Sequence, residues 1–349
     1  MTSFLPLISR LRRRLARPLG IEDIAVEIDE LAPPFVREVM PAISLPDEID
    51  RVERFEPTNS PKIHYDRLYA REQRHGPTMA YCFDNAILHH GTLYFAKQYR
   101  TFTKTPDKVL ITGRPNFLNE AQFAASPLEH IYFGHWLHDT LPLEILASDR
   151  GLIPLRPSDP PWMHTSGYRA LLGSSPQSEE HAHIAKLWII DDRGLNKNWS
   201  DRFCRVRKSL QASRLKSGNE RVFISRGRSG ARREISNLDE VQAALSDAGF
   251  VTLHPERETP QTIIQALSNA RIVVGMEGSA LAHAILALPK GASLVTIQPA
   301  TFFNTIFKLF ADMADIRYAF VVADRANQDS SVNVGRLLRT IEIAETQVD

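Results

Sequence analysis

Cysteine is scarce in this chain, and its scarcity narrows the classes of protein to which the chain can belong. Only Cys82 and Cys204 are present among 349 residues. Two cysteines provide neither a disulfide framework nor the ligand set of a structural zinc site. We therefore expect an ordinary globular protein of a reducing compartment.

Long apolar runs and a charge excess are missing as well. No stretch approaches the roughly 20 apolar residues that span a bilayer, and no apolar segment follows the N-terminal arginines, so a cleaved secretory signal is not expected. The 42 basic and 41 acidic side chains nearly cancel, which argues against a dedicated nucleic-acid binder. No Gly-x-Gly-x-x-Gly follows a predicted strand, which disfavours a nicotinamide-dependent dehydrogenase.

The length of the chain is sufficient for two domains. Residues 1–62 combine a basic segment with a proline-rich stretch, which we expect to be an extended or loop-like lead-in. Residues 63–205 are expected to form one α/β domain, with strands at 79–83, 86–89, 92–95, 108–112 and 187–190. Residues 206–349 are expected to form a second, more regular α/β domain.

Residues 4–17 have the pattern of a basic amphipathic helix. Apolar residues recur at helical spacing with arginines between them: Phe4, Leu7, Ile8, Leu11 and Leu15 with Arg10, Arg12, Arg13, Arg14 and Arg17. This pattern fits peripheral contact with anionic lipid, and the alternative is a solvated surface helix or a frayed end.

A reactive pair is predicted in the stretch from His130 to Pro142, which reads HIYFGHWLHDTLP. On a helix His135 and Asp139 share one face, with His138 alongside. A carboxylate beside an imidazole fixes its tautomer and raises its basicity, which is what a general base needs. We therefore predict that His135 and Asp139 are catalytic.

Two other interpretations fit the same residues. Core-type neighbours such as Trp136 and Leu137 allow the histidine and aspartate merely to brace the packing. His135, His138 and Asp139 also offer several metal ligands within about one helical turn, as in a metal-dependent hydrolase. No further cluster of histidine, cysteine or carboxylates is evident to complete a coordination sphere.

From Arg221 onward, short β-branched runs alternate with helical patterns. This order predicts right-handed crossovers and a parallel, doubly wound sheet, whose ligands bind outside the carboxyl ends of the strands. The predicted strands are 222–225, 250–254, 272–275, 293–297 and 318–322, and the predicted helices are 238–248, 260–270, 279–288 and 303–314.

An arginine-rich loop follows the first of these strands. Its polar residues are Ser225, Arg226, Arg228, Arg233 and Asn237. Guanidinium groups at a strand end suit bidentate contact with phosphate. The alternative is a solvated basic loop.

A glycine-containing turn follows the strand at 272–275. Gly275 and Gly278 let a ligand approach the main chain, and the backbone N–H groups of the next helix, with the Ser279 hydroxyl, would favour an anion. The Glu277 carboxylate in the same turn is better suited to accept hydrogen bonds from hydroxyls or from a nucleobase than to bind phosphate. The alternative is that the glycines only allow a tight connection.

These motifs in this order resemble glycosyltransferase family 61, whose members are described as capsular-polysaccharide-biosynthesis-like proteins. The matching segments are 134–142, 223–226 with Arg233 and Asn237, 249–250, 270–281 and 291–299, within a resemblance that covers roughly residues 80–325. In that family the turn usually reads Gly-x-His-Gly-Ala-Gly-Leu. Here Glu277 stands where the histidine is expected and Ser279 where the alanine is.

The resemblance implies a GT-B-like architecture of two facing Rossmann-like domains, with the acceptor side in residues 63–205 and a nucleotide-sugar donor held by residues 206–349. It also implies inversion at the anomeric carbon without a bound metal or other cofactor. His135 or Asp139 would take the proton of the acceptor hydroxyl, and His138 and Trp136 would contact the acceptor or support the pair.

On the donor side, the resemblance and the residue types agree. Arg226, Arg228 and Arg233 would neutralise the leaving diphosphate together with the turn at Gly278 and Ser279. Ser225, Asn237 and Glu277 complete the predicted donor site.

The leading hypothesis is therefore a cytoplasmic glycosyltransferase of surface polysaccharide synthesis, with a glycan or glycolipid acceptor. It would be peripheral to the inner face of the membrane if residues 4–17 bind lipid. The alternatives are the metal-dependent hydrolase and a non-catalytic binding protein, the latter suggested by Glu277.

Overall fold

A computed structural model describes residues 3–15, 19–103, 108–111, 115–211, 218–227 and 233–346. Within these residues the chain forms two compact units. Unit 1 comprises Met1–Phe35, Arg74–Thr165 and Gly173–Val206, and unit 2 comprises Val36–Gln73, Ser166–Leu172 and Arg207–Asp349.

The strands of the described residues are, in chain order, β1 (Glu27–Ala32), β2 (Phe35–Glu38), β3 (Glu72–His75), β4 (Thr78–His89), β5 (Thr92–Phe95), β6 (Gln98–Thr101), β7 (Asn116–Phe123), β8 (Pro154–Arg156), β9 (Gln177–Ser178), β10 (His181–Asp191), β11 (Arg221–Ile224), β12 (Val251–Leu253), β13 (Ile272–Met276), β14 (Ser293–Pro299), β15 (Arg317–Ala326) and β16 (Asp329–Ser331).

The helices are α1 (Leu5–Leu15), α2 (Pro61–Tyr69), α3 (Phe133–His135), α4 (Leu141–Asp149), α5 (Thr165–Leu172), α6 (Lys197–Gln211), α7 (Leu238–Asp247), α8 (Pro260–Leu267), α9 (Leu281–Ala287), α10 (Ile306–Met313) and α11 (Val334–Thr346). A π-helical turn, Trp136–Thr140, joins α3 to α4. Short 3₁₀ turns lie at Ile49–Arg51 and Pro255–Arg257. None of the helices in the described part of the chain is long and apolar enough to cross a bilayer.

The helix predicted at residues 4–17 is confirmed as α1 over Leu5–Leu15. Arg17, at the end of the predicted helix, lies outside the described residues.

Unit 1 contains a mixed sheet in the order β6-β5-β4-β10-β7-β8-β9, and β1 also pairs with β4. The pairs that involve β4, β5 and β6 are antiparallel, whereas β10, β7, β8 and β9 run parallel to one another. Unit 1 therefore has α/β character, and its sheet combines hairpins with parallel pairing.

Strand β4 corrects a detail of the sequence prediction. Separate strands at 79–83 and 86–89 imply a turn at Asp84 and Asn85, but β4 runs through both positions while it stays paired with β10. Asn85 takes a left-handed backbone conformation with a φ of 55° and absorbs the irregularity locally. The strand predicted at 108–112 is wrong for residues 108–111, and residue 112 lies outside the described residues.

Unit 2 contains the predicted parallel sheet, in the order β12-β11-β13-β14-β15-β16. Neighbours from β12 to β15 are parallel, and β16 adds an antiparallel edge. The predicted strands and helices of this half are confirmed to within a few residues. The mixed α/β fold class is thus confirmed.

The proline-rich stretch is more structured than we expected. Strand β1 adds to the sheet of unit 1, and residues 36–73 belong to unit 2. Ile43 is buried there and pairs with Ala319 of β15. Apart from β1, β2, the 3₁₀ turn and the start of α2, the described part of this stretch is extended or loop-like as expected, although it belongs to the two compact units.

Candidate functional site

The reactive pair lies on a helix that changes its winding. Helix α3 passes into the π-helical turn Trp136–Thr140 and then into α4. Pro142 has no N–H, so the carbonyl of His138 loses the donor that an α-helix would provide. Trp199 Nε1 donates to that carbonyl at 3.2 Å instead. Single π turns inside α-helices are rare and frequently mark functional sites.

His135 and Asp139 are hydrogen-bonded to each other in this turn. His135 Nδ1 lies 2.8 Å from Asp139 Oδ2, and each side chain is 28% exposed. Ser126 Oγ donates to the same Asp139 oxygen at 2.9 Å. The aspartate is thus held from two sides, and the imidazole remains accessible.

The charge of Asp139 determines the state of the His135 ring. Burial disfavours the charged imidazole, but the hydrogen bond and the negative charge of Asp139 outweigh it and raise the pKa of His135. An ionised carboxylate can only accept, so Nδ1 carries the hydrogen and the neutral ring has its lone pair on Nε2. The arrangement provides an oriented base of increased basicity.

A buried network of polar side chains holds the segments that carry the His135–Asp139 pair and its partner Ser126. Glu129, which is fully buried, accepts hydrogen bonds from Arg156 Nη2 at 2.8 Å and from the Thr140 hydroxyl in the π turn. It also accepts from the backbone N–H of Ser126 at 3.3 Å. Arg156 Nη1 in turn reaches Glu144 of α4 at 3.0 Å. The network ties the segment that carries Ser126 to the π turn that carries Asp139.

His138 and Trp136 face the core. His138 is 1% exposed, with its ring 5.3 Å from that of Phe203, and burial lowers its pKa to about 3. Trp136 is fully buried. Of the two predicted roles for these residues, the geometry suits support of the helix rather than contact with an acceptor. Within the described residues no group of three His, Cys, Asp or Glu side chains could hold a metal ion.

In unit 2 the predicted strand-end groups come together. Arg226 follows β11, and Glu277 follows β13. Arg226 Nη1 donates to the backbone carbonyl of Glu277 at 2.8 Å. A Cβ at Gly278 would lie 2.0 Å from that Nη1, and Gly278 has a φ of 140°. Glycine is therefore required here by the backbone conformation and by the close approach of the guanidinium group.

Arg233 also binds the Glu277 turn. Its guanidinium group donates to the Glu277 carboxylate and, at 3.3 Å, to the Glu277 carbonyl. The same group stacks 4.4 Å from the centre of the Phe302 ring. Glu277 is 3% exposed. The acidic residue in the turn thus orients the arginines that the sequence assigns to a diphosphate.

The other predicted donor residues are placed as follows. Ser225 is buried, and its N–H donates to the Leu253 carbonyl at 2.9 Å. Asn237 exchanges two hydrogen bonds with the backbone of Val332, so its amide braces the chain. Ser279 is half-buried and precedes α9, which begins two residues later than predicted. Arg228 lies outside the described residues.

Sequence reasoning missed several of these residues. Ser126, Glu129 and Arg156 were not predicted, and neither was Phe302. Ser126 shortly follows the end of β7, a position where a polar side chain can be expected to reach a site. Glu129 and Arg156 carry no local signal, since their pairing depends on the folded chain.

Comparison with protein families finds a match in the same part of the chain. Residues 133–295 match the family model described as Glycosyltransferase 61. The matched segment begins with α3 and contains His135, Asp139, Arg226, Arg233 and Glu277. The search of curated proteins finds no match. This match, which covers slightly less than half of the chain, supports an assignment to glycosyltransferase family 61 and a glycosyltransferase activity.

Proposed function

We propose that this glycosyltransferase moves a sugar from a nucleotide-sugar donor to a hydroxyl of a glycan or glycolipid acceptor, with inversion and without a metal. The observation that carries the proposal is the hydrogen bond between His135 and Asp139, with both side chains partly exposed. A base of this kind is what direct displacement by an acceptor hydroxyl requires.

In the proposed reaction His135 Nε2 takes the proton of the acceptor hydroxyl. The hydroxyl oxygen forms a bond to the anomeric carbon while the bond from that carbon to the diphosphate oxygen breaks. The bonding electrons leave with the nucleoside diphosphate, and a single displacement inverts the anomeric centre. Asp139 stabilises the imidazolium that forms, so it acts here by positioning and charge rather than as the base itself.

Arg226 and Arg233 are proposed to stabilise the charge of the leaving diphosphate. What supports this role is their position after β11 and beside the turn that follows β13, since parallel sheets bind ligands outside the carboxyl ends of their strands. Fixed guanidinium groups can supply the positive charge that a metal would otherwise provide. Glu277 would hold both guanidinium groups in place.

We further propose a GT-B-like enzyme with its acceptor side in residues 63–205 and its donor side in residues 206–349. The parallel sheet of unit 2 supports the second assignment. A cytoplasmic location, expected from the small number of cysteines, and a role in capsular or other surface polysaccharide synthesis, expected from the family resemblance, stay predictions.

A thermal-shift screen with nucleoside diphosphates and nucleotide sugars, with and without EDTA, tests donor binding first. A ligand at about 100 times its Kd stabilises by roughly 2.7 kcal/mol, which raises Tm by several degrees. We expect one nucleotide family to give such a shift, and the shift to survive EDTA. A shift that EDTA abolishes would contradict the metal-independent proposal.

Transfer to candidate acceptors, with the product anomer assigned by NMR, tests the reaction. We expect His135→Ala and Asp139→Asn to abolish most transfer while nucleotide binding persists. Ser148→Ala is a matched control, since Ser148 only donates to a carbonyl within α4. If neither variant changed cellular glycan while deletion abolished it, the protein would be a non-catalytic binding protein.

A further inference from the structure

Helix α1 is fixed to the hairpin of β5 and β6 by one of its faces. Arg10 donates to the Val109 carbonyl at 3.1 Å and to the Tyr94 hydroxyl at 3.0 Å. Arg13 lies 4.7 Å from the centre of the Tyr99 ring. Ser9, on the same side of the helix, is fully buried. These contacts determine which face of the helix points outward.

The outward face is apolar. Phe4, Ile8, Leu11 and Leu15 recur at helical spacing and are between 43% and 85% exposed. At about 100° per residue these four side chains lie within a narrow stripe. Leu110, whose carbonyl accepts a hydrogen bond from the Leu7 N–H, and its neighbour Ile111 are also exposed. An outward stripe of large apolar side chains is unfavourable in water unless it binds something.

A basic cavity lies beside this stripe. It has a volume of about 200 Å³ and is lined by four cations, Arg12, Arg13, Lys97 and Arg100, and by no acidic residue. None of the four forms a close ion pair with a described residue, and only Arg100 interacts with a nearby carboxylate, that of Asp191. Arg12, which lines the cavity, follows Leu11 of the apolar stripe directly in the sequence.

A buried serine lies at the wall of the cavity. Ser9 lines it, and the Ser9 hydroxyl has no hydrogen-bond partner among the described residues. Four cations without a lining carboxylate form an environment that favours a phosphate group.

We propose that α1 docks on an anionic membrane surface, with its apolar stripe at the boundary of the headgroups and acyl chains and a lipid phosphate in the basic cavity. Amphipathic helices with a basic flank bind membranes through this combination of apolar burial and attraction to anionic lipid. The site is independent of the residues assigned to sugar transfer, so its test does not depend on that reaction.

Co-sedimentation of the full chain with vesicles tests the proposal. We expect binding to phosphatidylcholine vesicles that contain phosphatidylglycerol and much weaker binding to phosphatidylcholine alone. Arg12→Gln and Lys97→Gln should each weaken binding about fivefold, since one cation near an anionic surface contributes about 1 kcal/mol. Leu11→Gln should weaken it as well, because it interrupts the apolar stripe.

Two matched control variants test whether the loss of any exposed cation or apolar side chain would weaken vesicle binding equally. Arg71→Gln removes an exposed arginine of unit 2, and Val251→Gln removes an exposed apolar side chain of unit 2. Both variants should bind vesicles like the parent, and circular dichroism should show that all variants fold.

The proposal is overturned if neutral and anionic vesicles bind equally, or if Arg71→Gln weakens binding as much as Arg12→Gln. It is also overturned if inorganic phosphate stabilises the chain but vesicles do not bind, because the cavity would then be a site for free phosphate. A dimer in solution that Leu11→Gln dissociates would show instead that a second copy covers the apolar stripe.

Discussion

Arg233 and Glu277 form an ion pair in the turn after β13, with the carboxylate 4% exposed and the guanidinium group 17% exposed. Removal of one partner of a buried pair leaves a buried charge uncompensated. We therefore expect Arg233→Gln to lower the free energy of unfolding by about 2 kcal/mol. Glu277→Gln removes the buried charge and keeps an oxygen that accepts from the arginine. The free energy of unfolding should therefore fall less in Glu277→Gln than in Arg233→Gln. Urea denaturation measures both, and equal losses would contradict this account.

The raised pKa of His135 predicts an acid limb in the activity profile. A base must be unprotonated, so kcat/KM should fall as the pH drops through a value above 6.5, the ordinary pKa of histidine. In Asp139→Asn the charge that raises the pKa is gone while burial, which lowers it, remains. The midpoint of the acid limb should therefore move to lower pH, and the maximal rate should fall by about 10²- to 10⁴-fold. An unchanged midpoint would exclude His135 as the titrating base.

Ser126 is expected to act as a positioning residue. Ser126→Ala removes one of the two donors to Asp139 Oδ2, which should lower kcat/KM about tenfold, the equivalent of about 1.4 kcal/mol. An aspartate with one donor fewer stabilises the imidazolium more strongly, so the acid limb should move to higher pH. A general loss of structure would not produce this shift. Ser148→Ala serves as the control, with neither effect expected.

The raised pKa of Glu129 predicts that the free energy of unfolding depends on pH. Burial raises its pKa to about 7, although Arg156 and the Thr140 hydrogen bond oppose the rise. Because the folded-state pKa lies above the unfolded value near 4.5, the carboxyl stabilises the fold when it is protonated, and this contribution is lost as the pH rises from about 4.5 to 7. Glu129→Gln stays neutral throughout. The stability of the parent relative to this variant should fall across that window in urea denaturation, and a constant difference would refute the prediction.

The parallel sheet of unit 2 could be predicted because its signals are local. Each strand is a short apolar run, and the helical pattern that follows requires a crossover. The mixed sheet of unit 1 could not be predicted in the same way. Strand β4 pairs with β10, about a hundred residues later, and Asn85 takes a conformation that looks like a turn in sequence.

In the candidate site, too, the pair that is close in sequence could be predicted and the pairs that are distant in sequence could not. His135 and Asp139 are four residues apart, so helical geometry alone brings them together. Ser126 reaches Asp139 across 13 residues, and Arg233 reaches Glu277 across 44. Such pairs depend on how a loop packs against a helix or a strand end. No periodicity in the sequence encodes them.

The π turn between α3 and α4 separates the helical phase of the reactive pair from that of the core. A π turn contains one residue more than an α turn, and one residue corresponds to about 100° of rotation around the helix axis. The direction of His135 is therefore rotated relative to the one it would have if α3 and α4 formed a single regular α-helix. The apolar residues of α4 can remain packed in the core while the imidazole stays partly exposed.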